Sequence, residues 1–324
     1  MKLAFPRLLA AGLLVLAATA CGTSDADAGS GTLRIGVIGS GVGNKLNGAV
    51  GFLSERGGLL PELKAAGVTK IQVATFPNGP DLNQALAGGS LDLATYGDTP
   101  ALVARGKGLP TRLIGLSQIN LDAAVVARKG GPTSLRELAG KRIGVQVGSY
   151  IHRYLLAALQ QAGVKPAQII HMYTPAIVAA LDKGSIDAGA LVSADRYAEE
   201  QKGFKAIDVA SRDHPDVLGT SATVVTQKYL DAHPAIVRAW QGAQVKAVRT
   251  AKADWPAYTA FAARVGGYRP EVTLKTTLPA QLPDEPFPAR GRTLLEGTKT
   301  FLVQQKLVAE DFPLDSWIAP GAKA

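Results

Sequence analysis

The chain has one cysteine, Cys21, among 324 residues. Intramolecular disulfides and thiolate metal sites are therefore excluded, as is a cysteine nucleophile in the folded part. Histidine is scarce as well. His152, His171, His214 and His233 show no H-E-x-x-H spacing, and no G-x-S-x-G elbow occurs. Neither a metal nor a cofactor is expected. Aromatic residues are 6% of the chain, and Lys and Arg are scattered rather than gathered into a stripe. Nucleic acid is not an expected partner. Beyond residue 20 no apolar run reaches the roughly 18 residues that a membrane-spanning helix needs. Catalysis has little support in this inventory, and binding without covalent chemistry is the better expectation.

The N-terminus sets the compartment. Lys2 and Arg7 precede an apolar run, Leu8 to Ala18, which is followed by the small residues Thr19 and Ala20 and then Cys21. A basic end, a short apolar core and a small-residue site read as a secretory signal over residues 1–20. The cysteine just after the small residues resembles a bacterial lipobox, which implies a lipidated Cys21 and a chain anchored to the cell membrane, facing the periplasm or exterior. Residues 21–31, CGTSDADAGSG, are small and polar and read as a flexible tether. Without residues 1–20, 33 basic side chains face 26 acidic ones. That balance favours anionic ligands or lipid head groups.

The body alternates strand-like runs with helical patterns. Candidate strands are Leu33–Ile38, Ile71–Phe76, Leu91–Tyr96, Arg112–Leu116, Ala123–Ala127, Arg142–Gln146, Gln168–Tyr173 and Ala188–Val192; amphipathic segments include Asn47–Ala66 and Tyr150–Ala162. The alternation predicts an α/β fold with mostly parallel sheets. Residues 85–92, ALAGGSLD, and 180–187, ALDKGSID, both fit A-L-x-x-G-S-(L/I)-D. In each, a glycine (Gly89, Gly184) ends a helix and the chain turns into a strand. The echo predicts two similar α/β lobes with a cleft between them, and ligands on loops that follow strands.

Five such loops, and a sixth corner at Ser193 and Asp195, carry the candidate residues. Gly39-Ser40-Gly41-Val42-Gly43 follows the first strand, but Asn44 stands where a dinucleotide fingerprint needs its third glycine, and the next strand ends without a carboxylate. The dinucleotide reading is discounted; close backbone approach at Gly41 remains, with Ser40 and Asn44 as hydrogen-bonding candidates. Asn78 and Gly79 form the second loop. In the third, Gly97-Asp98-Thr99-Pro100, Thr99 is read as an N-cap and Pro100 as the first helical residue, so that free N–H groups face the cleft. Asp98 either meets an amine on the ligand or only braces the loop. Gly148-Ser149 is the fourth, with Ser149 capping a helix and His152 one turn in. Tyr173, and then Ser193 and Asp195, follow later strands.

The run FPNGPDLNQALAGGSLDLATYGDTP, Phe76 to Pro100, resembles the solute-binding proteins of ABC importers for sulfonates, taurine and nitrate, whose pattern is roughly F-x-x-G-P-x-x-x-x-A-L-x-x-G-x-x-D-x-x-x-x-G-D-x-P. LAGKRIGVQVGS, Leu138 to Ser149, and PAIVAALDKGSIDA, Pro175 to Ala188, extend the likeness. The resemblance implies a type II periplasmic-binding fold, with lobe one from residues 32–125 plus 225–324 and lobe two from 126–224. The crossings are expected near Ala123–Arg128 and Ala222–Gln227. It also implies a ligand cradle at Gly148-Ser149, a cleft-lining Gly97-Asp98, an ABC permease and ATPase as partners, and a monomer. Two departures stand out. Similar binders often follow the third motif with tryptophans and a D-P-Y turn, where this chain has Gly189 to Tyr197, GALVSADRY, and its first loop is glycine-rich. Both remove bulk, so a larger or flatter anion than taurine is open. A sensor, or an exported enzyme acting on a pyrimidine or other heterocycle, is the alternative.

Overall fold

The computed structural model describes residues 31–39 and 43–322. Cys21, the signal, nearly all of the tether, and the candidates Ser40 and Gly41 lie outside the described residues.

Two five-stranded sheets organise the chain. The first holds β1 (Thr32–Ile38), β2 (Lys70–Phe76), β3 (Leu93–Gly97), β4 (Thr111–Leu121) and β10 (Gly219–Thr226), in the order β2-β1-β3-β10-β4. The second holds β5 (Ala123–Ala127), β6 (Arg142–Val145), β7 (Gln168–His171), β8 (Ala188–Val192) and β9 (Lys205–Val209), in the order β7-β6-β8-β5-β9. The sheets are mixed rather than mostly parallel. β10 runs antiparallel to β3 and β4, and β5 antiparallel to β8 and β9. A strand that enters from the other lobe is inserted against the local direction. KAIDV is not a recognisable apolar run because Lys205 and Asp208 interrupt it, yet it forms β9.

The lobe boundaries expected at 125/126 and 224/225 cut through β5 and β10. Hydrogen bonding places all of β5 in the second sheet and all of β10 in the first. The change of sheet falls at Asp122, and again between Val209 and Gly219.

Helices cover both faces of each sheet. The first lobe begins with α1 (Gly48–Glu55), α2 (Leu59–Leu63), α3 (Gly79–Ala87) and α4 (Asp98–Gly106). The single helix expected over Asn47–Ala66 is broken at Gly57-Gly58. Gly57 has φ +74°, a conformation that side chains other than glycine resist. The second lobe carries α5 (Tyr150–Gln161), α6 (Thr174–Asp182), α7 (Ser193–Glu200) and α8 (Ala210–Asp213). After β10 the chain adds α9 (Gln227–Ala232), α10 (Ile236–Ala253), α11 (Trp255–Gly266), α12 (Pro270–Thr276), α13 (Ala289–Gln304) and α14 (Leu314–Trp317). These return to the first lobe, and two of them also pack on the second, α12 against α7 and α13 against α5. One core of the first lobe joins β1, α1, α2, α10 and α11 through residues such as Ile35, Phe52, Leu63 and Trp240.

The sequence echo is a structural repeat. Gly89 and Gly184 both adopt left-handed φ, +72° and +65°. The closing aspartates do the same work. The Asp92 side chain accepts from the Arg34 N–H at 2.8 Å while its own N–H donates to the Arg34 carbonyl; Asp187 does both with Arg142, its side chain accepting at 2.9 Å. Each aspartate thus locks the start of its lobe's leading parallel strand to the neighbouring one.

β4 is an edge strand, and its outer backbone groups are occupied. Gln241 and Gln244 of α10 donate to the carbonyls of Ile114 and Leu116 at 2.9 and 2.8 Å, and the Leu116 N–H reaches the Pro286 carbonyl.

Tyr150 reads both crossings at once. Its hydroxyl donates to the Asp122 carbonyl at 3.3 Å, and its ring lies so close to Gly219 that an added Cβ would stand 2.4 Å from it. Asp122 also receives the N–H and hydroxyl of Ser211. Gly219→Ala should therefore push Tyr150 off the hinge, at a cost of about 1–3 kcal/mol. Urea unfolding followed by circular dichroism measures it; an unchanged midpoint would show that the ring is free to move away.

Candidate functional site

At the carboxyl ends of β1, β3 and β4, beside the amino end of the antiparallel β10, lies a cavity of about 180 Å³. Its polar wall is Asn47, Thr95, Ser117, Gln118, Ser221 and Gln244. Its apolar wall includes Leu46, Ala49, Tyr96, Trp240 and Val248. The first turn of α1, Gly48 to Val50, closes one side, and Gly97 lies at another. The first N–H groups of a helix have no partner within it, so this turn presents donors and a partial positive charge. No carboxylate, lysine or arginine lines this cavity.

The hydroxyls are already linked. Thr223 donates to Thr95 at 3.4 Å, Thr95 and Ser117 share a 3.0 Å bond, Ser117 reaches the Ser221 carbonyl at 3.4 Å, and Ser221 donates to the Tyr96 carbonyl at 3.2 Å. The Tyr96 hydroxyl turns away to Asn83. A second space of about 270 Å³ shares Ile38, Asn47, Gly48 and Gln118 with the first and opens past Lys45 and Tyr268. Together they form an inner chamber and a vestibule, with a cation at the vestibule.

Sequence-predicted residues fall into three groups. Gly97 lines the chamber. Asp98 does not; it is fully buried, and α4 starts at Asp98 with Gly97 as cap, so Thr99 is not the N-cap and Pro100 is the third helical residue. One Asp98 oxygen accepts from the Thr99 N–H and hydroxyl at 2.6 and 3.0 Å. The other accepts from the Thr220 N–H, the Thr220 hydroxyl and the Thr298 hydroxyl, each at 3.0 Å. Arg153 of α5, also buried, donates to the Thr298 hydroxyl at 2.7 Å. Asp98 and Thr99 are therefore braces: with every strong donor around them engaged, no ligand contact is left to them. Gly79 is likewise structural, because an added Cβ would meet Pro100 at 2.3 Å. Asn44 accepts from the Thr75 N–H at 3.1 Å and holds the first loop to β2.

A third group sits at the rim, where the lobes face each other. Asn78 caps α3 by accepting from the Asp81 N–H, and its amide donates to the Tyr173 hydroxyl across the cleft at 2.8 Å. Tyr173 packs edge-on to His171, which accepts the Val147 N–H. Ser149 caps α5 as predicted, accepting weakly from the His152 N–H at 3.4 Å while donating to the Gln146 carbonyl at 2.7 Å. Gly148, φ +82°, stands beside Pro80, Asn83 and Pro100 of the first lobe. Its added Cβ would meet no protein atom, so the backbone angle itself demands glycine. His152 is held below the usual imidazole value, by burial first and His171 second.

Ser193 opens α7, and Asp195 lies in its first turn. Burial pushes the Asp195 carboxyl up to about 6, against the lowering influence of the Tyr268 and Thr174 hydroxyls and with Glu199 adding to the rise. Tyr268 belongs to the vestibule, so Asp195 reaches it from the other lobe. Among the described residues no group of three or more His, Cys, Asp or Glu could hold a metal, and no serine hydroxyl bonds a histidine ring.

The residues missed from sequence are Thr95, Ser117, Gln118, Ser221, Trp240 and Gln244. Ser117 and Gln118 lie beyond the apolar run Arg112–Leu116, because β4 continues to Leu121. Trp240 and Gln244 sit one turn apart on a helix face that reads as core.

A two-lobed α/β fold with a polar chamber at its strand ends is the architecture of periplasmic binding proteins. A family model described as NMT1/THI5 like matches residues 64–255, more than half of the chain, and the chain belongs to that family. It is 30% identical to the taurine-binding periplasmic protein of Escherichia coli over 57% of this chain and 58% of that one. It is 37% identical to a putative aliphatic sulfonates-binding protein of the same organism over 38% and 40%. These alignments thus span at most about three-fifths of the relatives' own length. The alkanesulfonate-binding protein SsuA of Xanthomonas axonopodis pv. citri, solved with MOPS, superposes with TM-score 0.72 at 23% identity, covering 89% of this chain and 98% of that one. The desulfurization enzyme DszB gives 0.69 at 19%, covering 90% and 96%. At these identities the superpositions speak to fold alone, and they agree with the two-lobed α/β fold read from the sequence.

Two outcomes follow from the geometry. Asp98→Ala should cost about 3–5 kcal/mol in chemical denaturation, because Arg153 is left buried without its neighbouring charge; a loss below about 1 kcal/mol would mean that water replaces the carboxylate. Asp195 titrates above its ordinary value in the folded state. Its contribution to stability is fully present below about pH 4, where both states are protonated, and is lost as pH rises through about 6. The stability difference between wild type and Asp195→Asn, measured by urea titration from pH 4 to 8, should change across that window and then level off.

Proposed function

We propose that the protein is an extracytoplasmic solute-binding protein of an ABC importer, capturing a small anionic, sulfonate-like solute between its lobes and passing it unaltered to a permease. The observation that carries this reading is the chamber: unpaired helix N–H groups, no carboxylate to repel an anion, and Lys45 in the vestibule. Neutral dipoles of this kind suit an anion in a low-dielectric space without the desolvation cost of a buried cation. The taurine- and sulfonate-binding relatives support the same ligand class. The ligand-binding set in this reading is Gly97, Thr95, Ser117, Ser221 and the first turn of α1 from lobe one. The Gly148-Ser149 corner, His152, Tyr173, Ser193 and Asp195 close from lobe two. Closure is favoured because the solute touches both lobes only when they meet.

Lobe two is taken as the chain between Asp122 and Gly219, and the remainder of the body as lobe one. Lipidation of Cys21 would hold the monomer at the membrane, next to the permease and ATPase. No helix of the described residues is long and apolar enough to cross a membrane. No reaction is assigned to the site, although DszB shows that the same fold also hosts chemistry.

A thermal-shift screen of ethanesulfonate, taurine, benzenesulfonate and nitrate tests the reading, with mass spectrometry of the recovered compound. At a concentration of about 100 times Kd a true ligand adds about 2.7 kcal/mol and raises Tm. The recovered compound should be unchanged, and Cys21→Ser should leave the protein in the soluble fraction of the cells that make it. No shift with any anion, or a product that accumulates with time, overturns the proposal.

A further inference from the structure

The chamber holds two buried side-chain polar groups without a partner, the Trp240 indole N–H and the Gln244 oxygen. Trp240 of α10 lines it and is 1% exposed, yet its indole N–H has no acceptor. A buried donor left unpaired costs about 1–3 kcal/mol, and a phenylalanine would fill much of the same space without that cost. Among the buried side chains of the chamber one acceptor is unspent, the Gln244 oxygen one turn along α10, and the indole makes no hydrogen bond with it. The hydroxyls of Thr95, Ser117 and Ser221 are spent on one another and on strand carbonyls, and the Gln244 amide N–H is spent on the Leu116 carbonyl. Across the chamber the first turn of α1 adds its own partnerless N–H groups. Two independent sets of donors, one a side chain and one backbone, thus face a space without a carboxylate or a cation.

We propose that Trp240 is a ligand-binding residue, whose indole N–H donates to an oxygen of the solute's anionic head seated in the inner chamber against the first turn of α1. This rests on the capture of an anion proposed above and gives it a direction. The head enters first, into lobe one, and the rest of the solute lies in the vestibule between Lys45 and Tyr268. A volume of about 180 Å³ is close to that of a cavity known to hold benzene, roughly 150 Å³, so the head and a short stem fit while a fused ring system does not. Within the chamber itself charge selection comes from dipoles, with Lys45 waiting in the vestibule.

Ethanesulfonate is the probe. Trp240→Phe keeps the ring and removes the donor, so Kd by calorimetry should rise about 10- to 100-fold, the range for a hydrogen bond to a charged group. The same variant without ligand should unfold at the same or a higher urea concentration, because an unpaired donor has gone. A purely structural tryptophan would show the opposite pattern, lower stability with unchanged Kd, and that result overturns the inference. Should the variant fail to fold, the ¹⁵N-labelled full chain gives the answer. Its three indole N–H signals are assigned by Trp255→Phe and Trp317→Phe, and saturation with ethanesulfonate should move the Trp240 signal downfield and slow its exchange. A signal that stays in place while the wild type binds overturns this inference and leaves the capture reading standing; a wild type that binds no anion overturns both.

Discussion

One buried carboxylate organises the region where the lobes join. Asp98 gathers donors from its own helix, from the strand that returns from the second lobe and from α13, and Thr298 passes the connection on to Arg153 of α5. A carboxylate with no exposure is costly unless its lone pairs are satisfied and a compensating charge lies near. Here both conditions hold, and each depends on a different segment of chain. The position of α4, and with it the Gly97 corner of the chamber, follows from that satisfaction. Tyr150 complements it by resting on both crossing points. The floor of the cleft is therefore rigid, and motion is left to the rim, where Asn78 and Tyr173 share one hydrogen bond.

How much of this could be read in the sequence differs with the kind of signal. The A-L-x-x-G-S-(L/I)-D echo was legible because its glycines and aspartates act locally: a left-handed turn, then a side chain that locks the next strand. Ser149 was legible for the same reason, since an N-cap needs only its own helix. Asp98 was half legible. An acid after a strand and before a helix is either a brace or a ligand contact, and what decides is Thr220 and Thr298, which lie 122 and 200 residues away. The strand order was hidden in the same way. No local pattern says that β10 will enter between β3 and β4, or that the sheets will be mixed.

The chamber itself was the least legible part. Ser117 and Ser221 belong to strands whose apolar runs end or begin near them, and Trp240 carries the helical spacing of a core residue. Their common surface exists only after three distant segments pack. Glycine corners, where backbone approach is easy to recognise, stand out in the sequence by contrast. The structure adds a chamber of side-chain hydroxyls and an indole in the first lobe.

The two glutamines that cap β4 have a consequence for life in a crowd. An open strand edge invites a copy of the same protein to extend the sheet. At β4 the outward carbonyls of Ile114 and Leu116 are already claimed by Gln241 and Gln244, and the Leu116 N–H is claimed by Pro286. A neighbour arriving in the extended state would have to displace three internal bonds to gain its own. At this edge, one of the four that the two sheets present, molecules crowded together at high density can then jostle without joining strands.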